Sequence, residues 1–346
     1  MVSIPNGLGE RTLIPNDFGV KDGTPISNKS TLLTEIDTAI SRKSPSVEYI
    51  VILPFSYVGH TIFGFRLGFN YNIFGHSAVR YRLPKDDGSV EDIVMNIEGY
   101  QEPNLNGLVK FYPAEEYIAG MSSHQGGFYN RHMLTVAYDN VSDENIKKMH
   151  QYFLDLDKKS LTGHSKFDIV LGPILNKINM FFPSVVERGN CAKWTSEGLK
   201  KAGLIKHTHI WPKNLWITLF ENSNEKPKPS VVLYKRITTC PQRYGDNTSE
   251  VGSYTAPFDL IRSWTYRDPK KFADCTVEVP DNDIKAIINV NKNPLYPSQT
   301  RNIMNHPAFI IGSTIVTAGL TFRYGKRIKT SFINNIWRRR KQNISD

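Results

Sequence analysis

The feature that most constrains this chain is a pair of strand-like runs, "HSAVRYRL" (His76–Leu83) and "DIVMNIEG" (Asp92–Gly99). Between them lies the turn-rich "PKDDGSVE". Alternating runs joined by a Gly/Asp turn predict an antiparallel hairpin centred near Asp86–Gly88. Facing residues then have numbers summing to about 172 to 174, by simple hairpin register. That register sets His76 opposite Asn96 or Glu98, and all three share one face because side chains alternate along a strand.

Other elements follow from the same reading. "VEYIVILPF" is an apolar, β-rich run suited to a strand covered on both faces, and "HMLTVAY" is a further strand. "STLLTEIDTAIS" predicts a short helix with Ser30 as its N-cap, and "PAEEYIAG" another helical segment. "SDENIKKMHQYFLDLDKK" predicts a long helix, capped by Ser142, with Ile146, Met149, Phe153 and Leu156 at helical spacing. "FDIVLGPILNKINMFF" is apolar and reads as helical. Strands beside helices in this order predict an α+β fold.

Chemistry concentrates in "ERGNCAKWTSEGLKKAGL" (Glu187–Leu204). Asn190 is a good N-cap, Leu199 and Ala202 supply an inward face, and Gly203 is a stop signal. Cys191 therefore falls in the first helical turn. There the unpaired amides and the helix dipole favour a thiolate, and the same amides can hold an oxyanion. A buried packing cysteine is the alternative reading. His76, with Asn96 or Glu98 fixing its tautomer, has the make-up of a general base for that thiol. The alternative there is a histidine that merely ends a strand.

The order "GHSAVRY", a strand with a polar residue, a strand leading to a helix, then "GNCAKWTSEGL", resembles the circularly permuted papain-like fold. In that group a His on a strand precedes a Cys at a helix N-terminus. It includes lecithin:retinol-acyltransferase-like proteins, permuted relatives of the NlpC/P60 peptidases, and the PPPDE isopeptidases. The Asn-Cys pair in "NCAKW" is similar to that of the acyltransferase-like branch, which often carries a second His where this chain has Asn96 or Glu98. The resemblance spans roughly residues 48–220. It implies an antiparallel sheet packed on helices, and a thiol hydrolase or acyltransferase acting on an amide, isopeptide or ester. Cys191 would be nucleophile, His76 base, Asn96 or Glu98 its orienter, and the Cys191 amide beside the Asn190 cap an oxyanion donor. The substrate would be a peptide, an isopeptide or a lipid acyl group. A non-catalytic binding or scaffold protein of the same fold is the rival expectation.

The organisation expected is a leader with a short helix (1–47), a core (48–220), an accessory segment (221–306), and an apolar segment with a basic tail (307–346). The tail from Arg323 holds +7 of the net charge of +10, so the body has no general polyanion-binding character and nucleic acid is not an expected partner. The uncharged stretch Pro307–Phe322 has 16 residues. As a helix it would span about 24 Å, against a hydrocarbon core of about 30 Å. Membrane contact through 307–346, at an organelle such as the mitochondrion, stands beside burial in the core as an expectation. Three cysteines without CxxC spacing and no apolar signal core favour a reducing intracellular compartment. No cofactor or metal is expected. No Walker or GxGxxG loop occurs, and His207 and His209 in "KHTHIW", which would share a strand face, have no obvious Cys or carboxylate partner. His60 is a lesser candidate base, "SSHQGGFYNRH" (Ser122–His132) a candidate cleft rim, and Trp194 a residue packing beneath the cleft.

Overall fold

The hairpin forms as β5 (His76–Pro84) and β6 (Val90–Ile97), with Gly88 at φ +81° in its turn. Ala78 faces Asn96, a sum of 174, as alternation and turn position dictate. The computed structural model describes residues 24–26, 31–43, 45–53, 55–62, 65–72, 75–98, 107–119, 132–168, 186–222, 229–237, 246–247, 266, 271–280 and 285–296. Contacts divide the chain into Met1–Leu295 and Tyr296–Asp346, and the named elements all belong to the first unit. The 307–346 tail, most of the apolar run 167–182 and most of Ser122–His132 lie outside the described residues.

Among those residues the protein is α+β, with a large, mostly antiparallel sheet and several helices. Strand β2 (Val47–Ile52) is buried at every position, because neighbours flank it on both edges. It pairs antiparallel with β5 on one side and with β8 (Met133–Tyr138) on the other. Beyond β6 the sheet ends with β7 (Val109–Pro113). Beyond β8 it runs through β11 (Val232–Ile237), β13 (Cys275–Pro280), β14 (Ala286–Val290) and β1 (Thr24–Ile26). Of these ladders only β11–β13 is parallel. The segment 221–306, expected to be accessory, thus supplies three strands of the main sheet, and the leader supplies its edge. Two small sheets accompany it. One joins β3 (Phe55–Ile62), β4 (Phe65–Asn72) and β12 (Asp246–Asn247), and the other pairs β9 (Ser165–Phe167) with β10 (Glu187–Gly189).

Helices cover both faces of the sheet. One face carries Tyr49, Val51, Ser77, Val79 and Tyr81, which share parity through the β2–β5 register. Against it lies α3 (Asp143–Leu161), where His150 meets the Tyr81 hydroxyl at 2.7 Å and Phe153 packs on the Tyr81 ring. Burying Ile146, Met149, Phe153 and Leu156 is worth about 1.5–3 kcal/mol per side chain. Helix α4 (Cys191–Lys201) packs on α3 where Gly198 meets Phe153, and a Cβ there would lie 2.2 Å from the ring's Cζ. Helix α5 (Pro212–Asn222) follows, its Trp216 indole donating to the Thr135 carbonyl at 3.4 Å.

The opposite face carries Ile50, Ile52, Ala78 and Val94, in one core with α1 (Leu32–Ala39) and α2 (Ala114–Ala119). The cap position of α1 falls on Thr31 rather than Ser30, and no side-chain cap bond forms there. A carboxylate from α2 serves instead: Glu115 Oε1 accepts the Leu33 amide at 3.0 Å. Such an acceptor suits the positive end of a helix. The same face buries an ionic cluster. Arg80 binds Glu48 at 2.8 Å and Asp92 at 2.6 Å, and Arg42 binds Asp37 at 2.6 Å.

Candidate functional site

Cys191 is the first residue of α4, as its surroundings in sequence require. The Asn190 side chain accepts the Lys193 amide at 2.9 Å, and its own amide donates to the Ile210 carbonyl at 2.9 Å. Leu199 and Ala202 point inward, and Gly203 at φ +77° ends the helix. The Cys191 and Ala192 amides of the first turn, with the amide and hydroxyl of Ser77, favour the ionised sulfur. Burial outweighs them. At 7% exposure the thiol is pushed up to about 11. That leaves roughly one thiolate per ten thousand molecules at pH 7.

The Ser77 amide lies beyond the end of a ladder. On β5 the amide of Arg82 points toward the β2 side, bonding the Ser46 carbonyl, so those of odd-numbered residues point toward β6. Ladder β5–β6 begins at Ala78–Asn96, one pair short of Ser77. The β5–β6 ladder ends there.

His76 is held by a side chain of β6. Its Nε2 lies 2.6 Å from Asn96 Oδ1, which also accepts the Tyr117 hydroxyl at 3.2 Å. An amide oxygen only accepts, so Nε2 carries the proton and the basic lone pair belongs to Nδ1. Asn96, diagonal to His76 across the hairpin, therefore orients the ring. Glu98, opposite His76 by register, accepts the Tyr112 hydroxyl instead.

The structure sets the two candidates on opposite faces of the sheet. Parity puts His76, Ala78 and Asn96 on the α2 face, and Ser77 and Tyr49 on the α4 face. On β5 the α4 face is thus occupied by Ser77, the residue next to His76. Ser77 also meets the Tyr49 hydroxyl at 2.8 Å, and Tyr49 donates to the Pro212 carbonyl at 2.9 Å. The sequence reading did not single out Tyr49, Ser77 or Tyr117. Parity alone assigns Ser77 to the face that His76 does not occupy.

Segment 206–211 is not a strand, so His207 and His209 share no strand face; the His209 amide binds Ser196 Oγ at 2.8 Å. His60 falls on β3, with its side chain outside the described set. Trp194 is fully buried against Phe167 and Gly189. Among the described residues no group of three or more His, Cys, Asp or Glu could hold a metal, and no helix is long and apolar enough to cross a membrane. No family model, no curated protein and no solved structure matches the chain.

Proposed function

We propose that the chain is a cysteine-dependent hydrolase or acyltransferase, built on a permuted papain-like core and acting on an amide, isopeptide or ester bond. The observation that supports this reading is the Asn96–His76 bond, which leaves Nδ1 as the basic nitrogen of the ring. The chemistry runs in two halves. His76 Nδ1 takes the thiol proton as Sγ bonds to the acyl carbon. The Cys191 amide receives the oxyanion, and the proton passes to the leaving amine or alcohol as its bond to carbon breaks. Water, or an acceptor hydroxyl or amine, then attacks the thioester, giving its proton to His76 and returning the sulfur as thiol. Ring and sulfur start on opposite faces of the sheet, and this reading requires the ring to reach the sulfur.

A second reading, a binding protein with the same core, draws on the buried, largely protonated thiol. Intact-mass analysis separates the two. The protein is mixed with aryl acyl esters and ε-acyl-lysine peptides, beside Cys191→Ser and His76→Ala. An acyl adduct on Cys191 that both substitutions abolish supports the enzyme. Absence of any adduct from pH 6 to 9, while the unfolded chain labels readily, supports the binding protein.

A further inference from the structure

Helices α3 and α4, with Glu187 of β10, line a cleft of about 630 Å³. Small-molecule sites run from about 300 to 1,000 Å³. The α3 wall follows from helical spacing. Lys148, Tyr152, Asp155 and Lys159 recur at steps of four, three and four, so they form one stripe. It runs beside the inward stripe of Ile146, Met149, Phe153 and Leu156. Leu156 is buried and gives the cleft an apolar surface next to the Tyr152 ring.

The carboxylates at this place already have partners. Asp155 Oδ1 accepts the Gln151 amide at 2.9 Å, and Glu187 binds Lys193 at 2.8 Å. Glu197 accepts the Tyr152 hydroxyl at 2.5 Å. Lys148 binds Glu144 at 2.6 Å. Three ammonium groups remain. Among the described residues Lys158, Lys159 and Lys201 make no ion pair, and all three are exposed. Each sits in the last turn of its helix, where a cation suits the carbonyl end. That explains each lysine singly. It does not explain a concave surface that gathers all three without a carboxylate to pair them.

We propose that this cleft binds a small molecule carrying a diphosphate group, held by Lys158, Lys159 and Lys201. Three unpaired ammonium groups call for more negative charge than one phosphate monoester brings, about 1.5–2 at neutral pH. The volume also exceeds what a single phosphate fills, and Tyr152 and Leu156 offer contact to an attached organic group. Every cation lining the cleft is lysine. An ammonium is a point charge that meets phosphate oxygens from any direction, whereas a planar carboxylate is better matched by the arginine fork. The site is separate from the thiol. Lys201 ends α4, ten residues and about 15 Å of helix beyond Cys191. Neither Cys191 nor His76 lines the cleft, so the site stands or falls independently of the acyl chemistry.

Calorimetric titration of the full chain with inorganic pyrophosphate, at pH 8 and constant ionic strength, tests the proposal. The basic tail is the competing place for an anion, so two variants are compared. One is Lys159→Gln with Lys201→Gln. The other is Arg338→Gln with Arg339→Gln and Arg340→Gln. All five positions are kept polar, and circular dichroism confirms the fold. The cleft variant should bind pyrophosphate at least tenfold more weakly, with the tail variant unchanged. Orthophosphate should bind the unaltered chain at least tenfold more weakly than pyrophosphate. Absence of pyrophosphate binding, a loss in the tail variant as large as that in the cleft variant, or equal affinity for the two anions overturns the proposal.

Discussion

At the scale of single residues, the site divides into groups that set geometry and groups that set charge. Asn96 sets geometry, by accepting the hydrogen bond from Nε2–H of His76. Asn96→Ala is expected to lower kcat by about 10²-fold or more, the usual range of a lost acid–base function, with KM little changed. Steady-state kinetics with the best acyl substrate checks this, and a loss confined to KM would count against the assigned role. Asn190 was legible because a cap needs only local sequence. Its side chain holds both the Lys193 amide and the Ile210 carbonyl. Asn190→Ala should cost about 1–2 kcal/mol in urea unfolding. The choice between Asn96 and Glu98 was not legible, since both have the parity of His76. In the structure Tyr112 binds Glu98, while Asn96 meets both His76 and Tyr117, contacts that the hairpin pattern does not specify.

Elements were read well wherever their signal was local. The hairpin register, the Ser142 cap of α3 and the inward stripe of that helix needed nothing beyond turn chemistry and periodicity. The place of β11 beside β8 was hidden, because a strand's neighbours are chosen by the whole sheet. The cap of α1 was misplaced for a similar reason, its acceptor being Glu115 of α2. The α3–α4 contact makes a sharp prediction. Gly198→Ala drives a methyl group against the buried Phe153 ring and should destabilise the protein by about 1–3 kcal/mol. Gly163→Ala meets nothing within 4 Å and serves as the comparison, testing only the cost of its φ of +76°.

For the whole molecule, stability against pH has two opposing contributions. Glu48, buried between Arg42 and Arg80, is held below the ordinary carboxylate range by them, against the cost of burial. Its contribution is present above the unfolded value near 4.5 and is lost as pH falls through the lower folded value. Glu115 goes the other way. Burial pushes it up to about 7, so ionising it costs stability progressively as pH rises from about 4.5 to about 7. Glu115→Gln should therefore flatten the slope of urea midpoints across that window, and an unchanged slope would remove Glu115 as its source. Glu48→Ala should cost about 3–5 kcal/mol at pH 7, since it removes the fully buried carboxylate between Arg42 and Arg80 and leaves them only Asp37 and Asp92.

The order of strands also bears on how the chain is made. β1, near the start, finds its partner in β14, whose residues 286–290 leave the ribosome more than 250 positions later. β8 lacks β11 until residue 237 is out. During that interval α4 and its cysteine already exist while one half of the sheet does not. A growing polypeptide therefore carries an open β8 edge and an unmatched N-terminal strand through much of its synthesis, a period in which a chaperone that shields strand edges would have the most to do.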